Sequence, residues 1–280
     1  MKKFLAVFDV FRMCDSTLDY AIQITKSAGG HLVGVFLDES VFYGFNRSED
    51  MNLNKDLEKA IELLNKNEAK KRQEVTNHFK ERCEKAGIPF SIQKEGNMTL
   101  RELKNESMFA DLIVINQHET FTSLKEKSPT HFIKDFLGDV QCPVLIVPSL
   151  YKPIENLVLL YDGAPPALYA IKMFSYVLGN PQNLPVKVFT VKEKKKDGFH
   201  MPDNKKIREF TKRHFPKATF VVASGNAEQE IKGYLGSLPK NQMVILGAYQ
   251  RSEISRWFKI SMADILMKEL EIPLFISHNK

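Results

Sequence analysis

One stretch of the chain, residues 243–261, combines residue types that can hold an anion such as a phosphate. It begins with the apolar run 243–246, which predicts a buried strand of a parallel sheet. Gly247 breaks this run, a polar segment follows, and Ser261 stands just before a helical pattern. In α/β folds, a strand, a glycine turn and a helix begun by a hydroxyl form an anion-binding crevice, because free N–H groups and the positive end of the helix dipole point into it.

Other residues that directly follow predicted strands are also candidates for this chemistry. Asp9 and Asp162 end two similar strands, and Gly225 follows a third. Ligands of open parallel sheets lie outside the carboxyl ends of the strands, where such residues meet them. The candidate nucleotide or small-ligand crevice of the second half consists of Asp162, Gly163, Gly225, Gly247, Ala248, Gln250, Arg251 and Ser261.

Each of these residues also has a purely structural interpretation. An aspartate after a strand either contacts a ligand or caps the following turn or helix. Ser261 is either a phosphate ligand or a helix N-cap, and Arg251 either reaches a phosphate or is solvated in a polar loop. The sequence leaves these alternatives open.

Motifs for catalysis and metal binding are absent from the sequence. It contains no Gly-x-Ser-x-Gly elbow, no Gly-x4-Gly-Lys-[Ser/Thr] loop and no Gly-x-Gly-x-x-Gly after the first strand. His118, Glu119, His131 and Asp135 do not have the spacing of a zinc site. We therefore expect no metal and no catalytic residues, which favours binding over enzymatic turnover.

Composition and charge narrow the classes of partner. The 280 residues are 43% hydrophobic and 26% charged, and 40 basic against 34 acidic residues give a net charge of +6. The two signs are mixed, and arginines clustered with aromatic residues, which nucleic-acid binding requires, are not evident. No window approaches the roughly 18 apolar residues of a membrane span. We expect neither nucleic acid nor a membrane as partner.

The N-terminus and the cysteines predict a compartment. The apolar run after Lys2 and Lys3 stops at Asp9, which is too short for the signal-peptide core of roughly 7–15 residues. Three cysteines without metal-like spacing fit a reducing compartment better than a disulfide framework. We expect a cytoplasmic protein.

The elements that would position the crevice occur twice. Strands and helices alternate through five predicted strands up to residue 147 and again from residue 156, and the opening strand with its terminal aspartate recurs at Asp162. This duplication predicts two domains, residues 1–150 and 151–280, each a doubly wound parallel sheet with helices on both faces.

Together these features resemble the universal stress proteins in their tandem two-domain form. The resemblance spans essentially the whole chain and rests on the two strands ending in aspartate and on the segments 111–115, 142–147 and 247–252, with Ser261 behind them. It implies a five-stranded parallel sheet of order 3-2-1-4-5 in each half, as in adenine-nucleotide alpha-hydrolase-like folds. It also implies that the halves pack as a pseudo-two-fold dimer through their last strands, and it leaves a further homodimer open.

Nucleotide-binding members of that family carry G-x2-G-x9-G-[S/T] after strand four and an aspartate after strand one near the adenine. In the second half Gly247 and Ser261 match this motif, but Gln250 and Ile260 replace its second and third glycines. Those glycines let the backbone approach phosphate closely or adopt positive φ, and a β-branched residue resists both. The Gln250 amide could still donate to an anion.

The first half departs further from the motif. Asn116 and Glu119 stand at its first two glycine positions, and Thr130 stands at the hydroxyl position if the spacing is kept. One inserted residue, counted back from Pro143, would instead place His131 there. A Glu119 carboxylate would repel phosphate by several kcal/mol. We predict that the first half does not bind ATP.

The sequence thus predicts a cytoplasmic universal-stress-type protein of the stress response that acts by binding and is not a tight ATP binder, with no cofactor expected. One alternative is a nucleotide-binding switch or weak ATPase that holds ATP or another adenine nucleotide with Asp162, Gly247 and Ser261. A third interpretation is a crevice for another small molecule, whose polar group Gln250 or Arg251 would meet. Protein partners are not predicted.

Overall fold

The computed structural model describes residues 1–37, 55–93, 98–122, 125–180, 183–192, 200–247 and 262–277, with the backbone alone for 55–68. In these ranges strands and helices alternate through both halves. The elements of the first half are β1 (Lys3–Asp9), α1 (Asp15–Ala28), β2 (His31–Leu37), α2 (Lys55–Ala86), β3 (Phe90–Ile92), α3 (Leu100–Glu106), β4 (Leu112–Asn116), α4 (His131–Asp139) and β5 (Val144–Val147). Those of the second half are β6 (Asn156–Leu160), α5 (Pro165–Val177), β7 (Val186–Lys192), α6 (Asn204–His214), β8 (Thr219–Ser224), α7 (Ala227–Ser237), β9 (Gln242–Gly247), α8 (Met262–Glu269) and β10 (Leu274–Ser277).

Local signals in the sequence account for several helix boundaries. Gly29 adopts the left-handed conformation at φ 62° and ends α1. Thr99 and Glu102 form a capping box at the start of α3, since each side chain accepts from the backbone N–H of the other. Pro165 occupies the first helical position of α5, where its missing N–H costs nothing.

The longest helix, α2, spans 32 residues and lies on the sheet of the first half. Val75, Phe79 and Cys83 recur at helical spacing and are buried, which explains why this strongly charged helix packs on one face. Within the described ranges, no helix combines the length and the apolar character that crossing a membrane would require.

All ten strands form one continuous sheet in the order β3-β2-β1-β4-β5-β10-β9-β6-β7-β8. Within each half the strands are parallel, and the order is third, second, first, fourth, fifth. The halves meet where β5 pairs antiparallel with β10. This α/β architecture with a mostly parallel sheet confirms the predicted fold class.

Helices cover both faces of the sheet, which explains why the sequences of its central strands are continuous apolar runs. Helices α1, α2, α5 and α6 contribute to the apolar cluster on one face, and α3, α4, α7 and α8 contribute to the cluster on the other. Both clusters contain residues of both halves. The carboxyl ends of β1 and β4 are neighbours, as are those of β6 and β9, so two equivalent crevices form on the sheet.

Candidate functional site

In the second half, Asp162 and Gly163 form the tight turn between β6 and α5. Asp162 is buried, and its Oδ1 accepts from the backbone N–H of Ala164 at 2.9 Å. Ala164 is the residue that precedes the first turn of α5. Gly163 has φ 82°, a conformation that residues with a Cβ rarely adopt. The geometry therefore assigns Asp162 a turn-closing contact, which is the structural interpretation that the sequence left open.

Gly247, the last residue of β9, packs directly against the start of α5. A Cβ atom at this position would lie 2.3 Å from the carbonyl oxygen of Pro166 and 2.4 Å from its carbonyl carbon. These are backbone atoms of a helix, so they cannot move aside cheaply. Close packing of strand and helix requires glycine here whether or not a ligand binds.

Gly225 lies apart from the other predicted site residues. It follows β8, and β6 and β7 separate β8 from β9. At about 4.8 Å per strand, this places the ends of β8 and β9 on the order of 14 Å apart. Gly225 donates its N–H to the carbonyl oxygen of Lys192 at 3.0 Å, and the neighbouring Asn226 caps α7.

The remaining predicted site residues, Ala248, Gln250, Arg251 and Ser261, lie outside the described residues, as does Ile260. Of the eight residues predicted for this crevice, the structure brings Asp162, Gly163 and Gly247 together. The role of the others stays a prediction.

The first-half crevice contains an ion pair that the sequence analysis missed. Asp9, the last residue of β1, is 3% exposed, and its Oδ1 accepts from the backbone N–H groups of Phe11 at 2.7 Å and Arg12 at 3.2 Å. Its Oδ2 accepts from Nε and Nη2 of Arg12 at 3.1 and 3.0 Å. Both carboxylate oxygens are thus engaged, and the two guanidinium N–H groups that converge on Oδ2 hold the guanidinium over the strand end.

Arg12 also reaches across the crevice to the segment that follows β4. Its Nη2 donates to Oγ1 of Thr120 at 3.3 Å and to the carbonyl oxygen of Thr122. Both threonines are buried. Because β1 and β4 are adjacent strands, this bridge fills the space between their carboxyl ends, where the resemblance places a nucleotide.

Phe121 anchors the segment that receives Arg12. Its ring is fully buried and packs against Phe132 of α4 with ring centroids 4.6 Å apart. Its φ of 51° is left-handed, which costs a residue with a Cβ about 1–2 kcal/mol. Burial of a phenylalanine side chain offsets that cost, since it contributes about 1.5–3 kcal/mol. The anchored ring holds Thr120 and Thr122 on either side of it.

Glu119 is buried next to this ion pair, with 7% of its surface exposed. Burial raises the pKa of Glu119 to about 8; the nearby Asp9 carboxylate adds to the rise and Arg12 opposes it. The carboxyl group is therefore mostly protonated at pH 7. Repulsion of phosphate by a charged Glu119, the obstacle expected from the sequence, is a minor effect at that pH. The space taken by Arg12 and the buried threonines is the larger obstacle.

Asn116 takes the place that Gly247 has in the second half. Its Oδ1 accepts from the backbone N–H of His118 at 2.9 Å, and its Nδ2 donates to Sγ of Cys14 at 3.4 Å and to Oγ of Ser149 at 3.5 Å. Cys14 is the N-cap residue of α1. The asparagine side chain thus fills the gap between the strand end and the helix start that direct backbone contact closes in the second half.

Thr130 occupies the hydroxyl position of the first half. It is the N-cap of α4, where its Oγ1 accepts from the N–H of Ile133 at 3.2 Å and donates to the carbonyl oxygen of Glu119 at 2.5 Å. Thr130 follows Asn116 by the same 14 positions that separate Ser261 from Gly247 in the sequence. The N-cap position of Thr130 favours it over His131 for the hydroxyl position, and the pairing with the second half stays a prediction.

Arg12, Thr120 and Thr122 are the residues of this crevice that pattern reasoning overlooked. A usable signal existed, because an arginine three positions after a strand-terminal aspartate can fold back onto it. The second half has only Gly163 and Ala164 between its aspartate and its helix, so it offers no such side chain.

No protein-family model matches the sequence, and no curated protein sequence matches it. Solved structures match along the full chain. A universal stress protein from Archaeoglobus fulgidus DSM 4304 has a TM-score of 0.66 at 13% identity, covering 99% of this chain and 98% of that chain. A functionally unknown protein from Pseudomonas aeruginosa PAO1 has a TM-score of 0.59 at 12% identity, with coverage of 99% and 92%. The cytoplasmic domain of a prokaryotic cation chloride cotransporter has a TM-score of 0.53 at 10% identity, with coverage of 99% and 95%.

At these identities the likeness concerns the fold. It confirms that the chain has the tandem universal-stress fold that its motifs predicted. The same fold occurs in the cytoplasmic domain of a cotransporter, so fold alone does not specify function. The function has to be argued from the two crevices.

Proposed function

Proceeding from the tandem universal-stress fold of the whole chain, we propose that the protein acts in the cytoplasmic stress response by binding rather than by catalysis. In this proposal residues 1–150 form a domain whose crevice is closed by its own side chains and takes no ATP. Residues 151–280 form a domain that keeps a crevice for a small ligand but does not bind ATP tightly.

The observation that carries the proposal is the bridge from Arg12 to Asp9, Thr120 and Thr122. For a nucleotide to enter, the guanidinium must leave a carboxylate whose side chain is only 5% exposed. Breaking a buried ion pair costs about 3–5 kcal/mol, and we reduce this to about 2–3 kcal/mol because 44% of the Arg12 side chain is exposed. Such a cost lowers affinity roughly 30- to 150-fold.

A specific observation keeps the second crevice as the candidate for a ligand. The turn after β6 consists of small residues, Gly163 and Ala164, which cannot fill the crevice as Arg12 does. Gln250 and Ile260, at two of the three glycine positions, argue against close approach of phosphate oxygens to the backbone. A second candidate function is therefore a nucleotide-binding switch or weak ATPase in this half, and a third is binding of another small molecule through Gln250 or Arg251.

The proposal is tested by thermal-shift and calorimetric titration of the full chain with ATP, ADP, AMP and cyclic AMP. We expect no change in melting temperature and no binding heat at micromolar nucleotide. If a nucleotide does bind, the matched pair Asp9→Asn and Asp162→Asn assigns the half, because asparagine keeps the turn-closing oxygen while removing the charge. Binding lost with Asp162→Asn supports the switch, and binding lost with Asp9→Asn contradicts the closed first crevice.

The double variant Gln250→Gly with Ile260→Gly tests the steric argument for the second half. We expect it to gain affinity for adenine nucleotides, because it restores two glycines of the motif. A correctly folded double variant without any gain would remove that argument. A screen of other small metabolites against the unmodified protein tests the third candidate.

A further inference from the structure

The two edges of the ten-stranded sheet differ in how they are protected. At one edge β3 is three residues long and directly follows Pro89, and short edge strands and prolines discourage further pairing. At the other edge β8 is six residues long and pairs with β7 on one side. Among the described residues, no strand pairs with its other side. Within the described ranges, this second edge is therefore open to another strand.

The backbone groups that face outward from β8 can be assigned. Gly225 donates its N–H to the carbonyl oxygen of Lys192, so the hydrogen bonds to β7 involve every second residue from Thr219. The N–H and C=O groups of Phe220, Val222 and Ser224 consequently point away from the sheet. The strand is half-exposed and contains no proline or charged residue, the usual protection of an edge.

Positive charge surrounds this edge on the side covered by α6. Six exposed basic residues lie on α6 and in the turn before β8, against the exposed acids Asp203 and Glu209: they are Lys205, Lys206, Arg208, Lys212, Arg213 and Lys217. The Arg208 guanidinium carbon lies 4.1 Å from the centroid of the Phe220 ring, which brings this cation to the edge itself. Glu209 is paired with Arg213 at 2.9 Å.

The second half of the chain, which contains this edge, also carries the excess of positive charge. Residues 1–150 contain 20 basic and 22 acidic residues, whereas residues 151–280 contain 20 and 12. On the opposite face of β8, α7 carries the acids Glu228 and Glu230 and the base Lys232. Among the described residues, the excess of positive charge at this edge therefore lies on the α6 side.

We propose that the β8 edge and the basic side of α6 form a docking surface for an extended acidic segment of another protein, which adds to the sheet as a further strand. The outward N–H and C=O groups of Phe220, Val222 and Ser224 supply main-chain hydrogen bonds, the source of affinity in strand addition. Every second side chain of the added strand faces α6, so acidic residues at those positions meet its cations.

Charge complementarity also argues against a second copy of this chain as the occupant. Antiparallel pairing of two β8 edges in one continuous sheet would place both α6 helices on the same face, side by side. Their cations would then repel each other, which disfavours that dimer.

The first experiment measures binding of a fluorescein-labelled nine-residue peptide of alternating Glu and Val to the full chain by anisotropy. We expect saturable binding that weakens with added salt, and none for the matching Lys–Val peptide. Arg208→Glu with Lys212→Glu should weaken binding about tenfold or more. Lys70→Glu with Lys80→Glu, an equal charge change on α2, should leave it unchanged. Failure of the acidic peptide to bind, or equal weakening by both double variants, would overturn the proposal.

The second experiment tests strand addition as such. Val222→Pro removes an outward N–H and leaves the ladder to β7 intact, so it should keep the circular dichroism spectrum and lower affinity about tenfold. Two peptides N-methylated at alternate amides test the same point on the unmodified protein: one should lose binding and the other keep it. Equal binding of both methylated peptides would contradict strand addition. Sedimentation showing a dimer that Val222→Pro dissociates would instead identify a second copy as the occupant.

Discussion

The crevice between β1 and β4 and the crevice between β6 and β9 differ in what packs on their strand ends, although the strands that form them are equivalent. In the first half five residues separate Asp9 from the first residue of α1, and one of them, Arg12, folds back over the strand ends. In the second half two residues separate Asp162 from the first residue of α5, and the helix packs directly on Gly247. Turn length thus decides whether a long side chain folds back over the strand ends or the start of the helix packs against one of them.

The comparison shows how a motif can persist without the ligand that it suggests. Gly247 matches the first glycine of a nucleotide loop, yet the carbonyl of Pro166 already excludes any larger residue. Asp9 and Asp162 match the aspartate after strand one, yet each closes its own turn. The packing of Gly247 and the turns closed by Asp9 and Asp162 are sufficient to explain why these residue types occur at the three positions, without a bound nucleotide.

The largest effect is expected at Gly247. Gly247→Ala places a Cβ 2.3 Å from a backbone oxygen, so either β9 or α5 must move, and we expect a loss of about 3 kcal/mol or more in the free energy of unfolding. Urea unfolding followed by circular dichroism measures this. Gly233→Ala in α7 is the control, because its Cβ meets nothing within 4 Å and should stabilise the helix by up to about 1 kcal/mol. Equal stability of Gly247→Ala and the unmodified protein would contradict the direct packing of α5 on Gly247.

An intermediate effect is expected at Arg12. Arg12→Ala leaves the buried Asp9 carboxylate without its guanidinium, and we expect a loss of about 2–3 kcal/mol. In the Asp9→Asn background the same substitution should cost at least about 1 kcal/mol less, which a double-mutant cycle of unfolding free energies measures. Additive effects would show that the pair does not hold the first crevice closed.

The effect expected at Glu119 depends on pH and vanishes near pH 4. The folded state holds a proton up to about pH 8, whereas the unfolded state releases it near the ordinary pKa of 4.5. Between these values the folded state binds more protons, so stability falls as pH rises. Glu119→Gln cannot titrate, and we expect it to gain stability over the unmodified protein as the pH rises, by at most about 4 kcal/mol at pH 8, and nothing near pH 4.

Thermal unfolding midpoints between pH 4 and pH 9 measure the Glu119 effect. Glu81→Gln, at an exposed carboxylate of α2, should follow the pH profile of the unmodified protein. A Glu119→Gln profile parallel to that of the unmodified protein would show that the folded and unfolded states titrate alike, and the assignment of a neutral buried Glu119 would then be wrong.

Local patterns in the sequence were sufficient for the elements and their duplication. The buried strand that ends in Asp9, the glycine stop of α1 at Gly29 and the N-cap at Thr130 depend on residues close in sequence, so periodicity and capping rules predict them. The contact of Arg12 with Asp9 is local and could have been predicted, because the two residues are three positions apart. Its contacts with Thr120 and Thr122 could not, because those residues are 108 and 110 positions away.

The sequence by itself determined a duplicated α/β chain, the aspartates that follow its opening strands, and the loss of most glycines from both nucleotide-type loops. Only the tertiary structure decided what packs on the strand ends: Arg12 with its contacts to Thr120 and Thr122 in the first half, and the first turn of α5 against Gly247 in the second. The physical reason is that both contacts join segments far apart in sequence through a few ångströms of space. Turn length and helix placement set those distances, and neither follows from the residue types at either end.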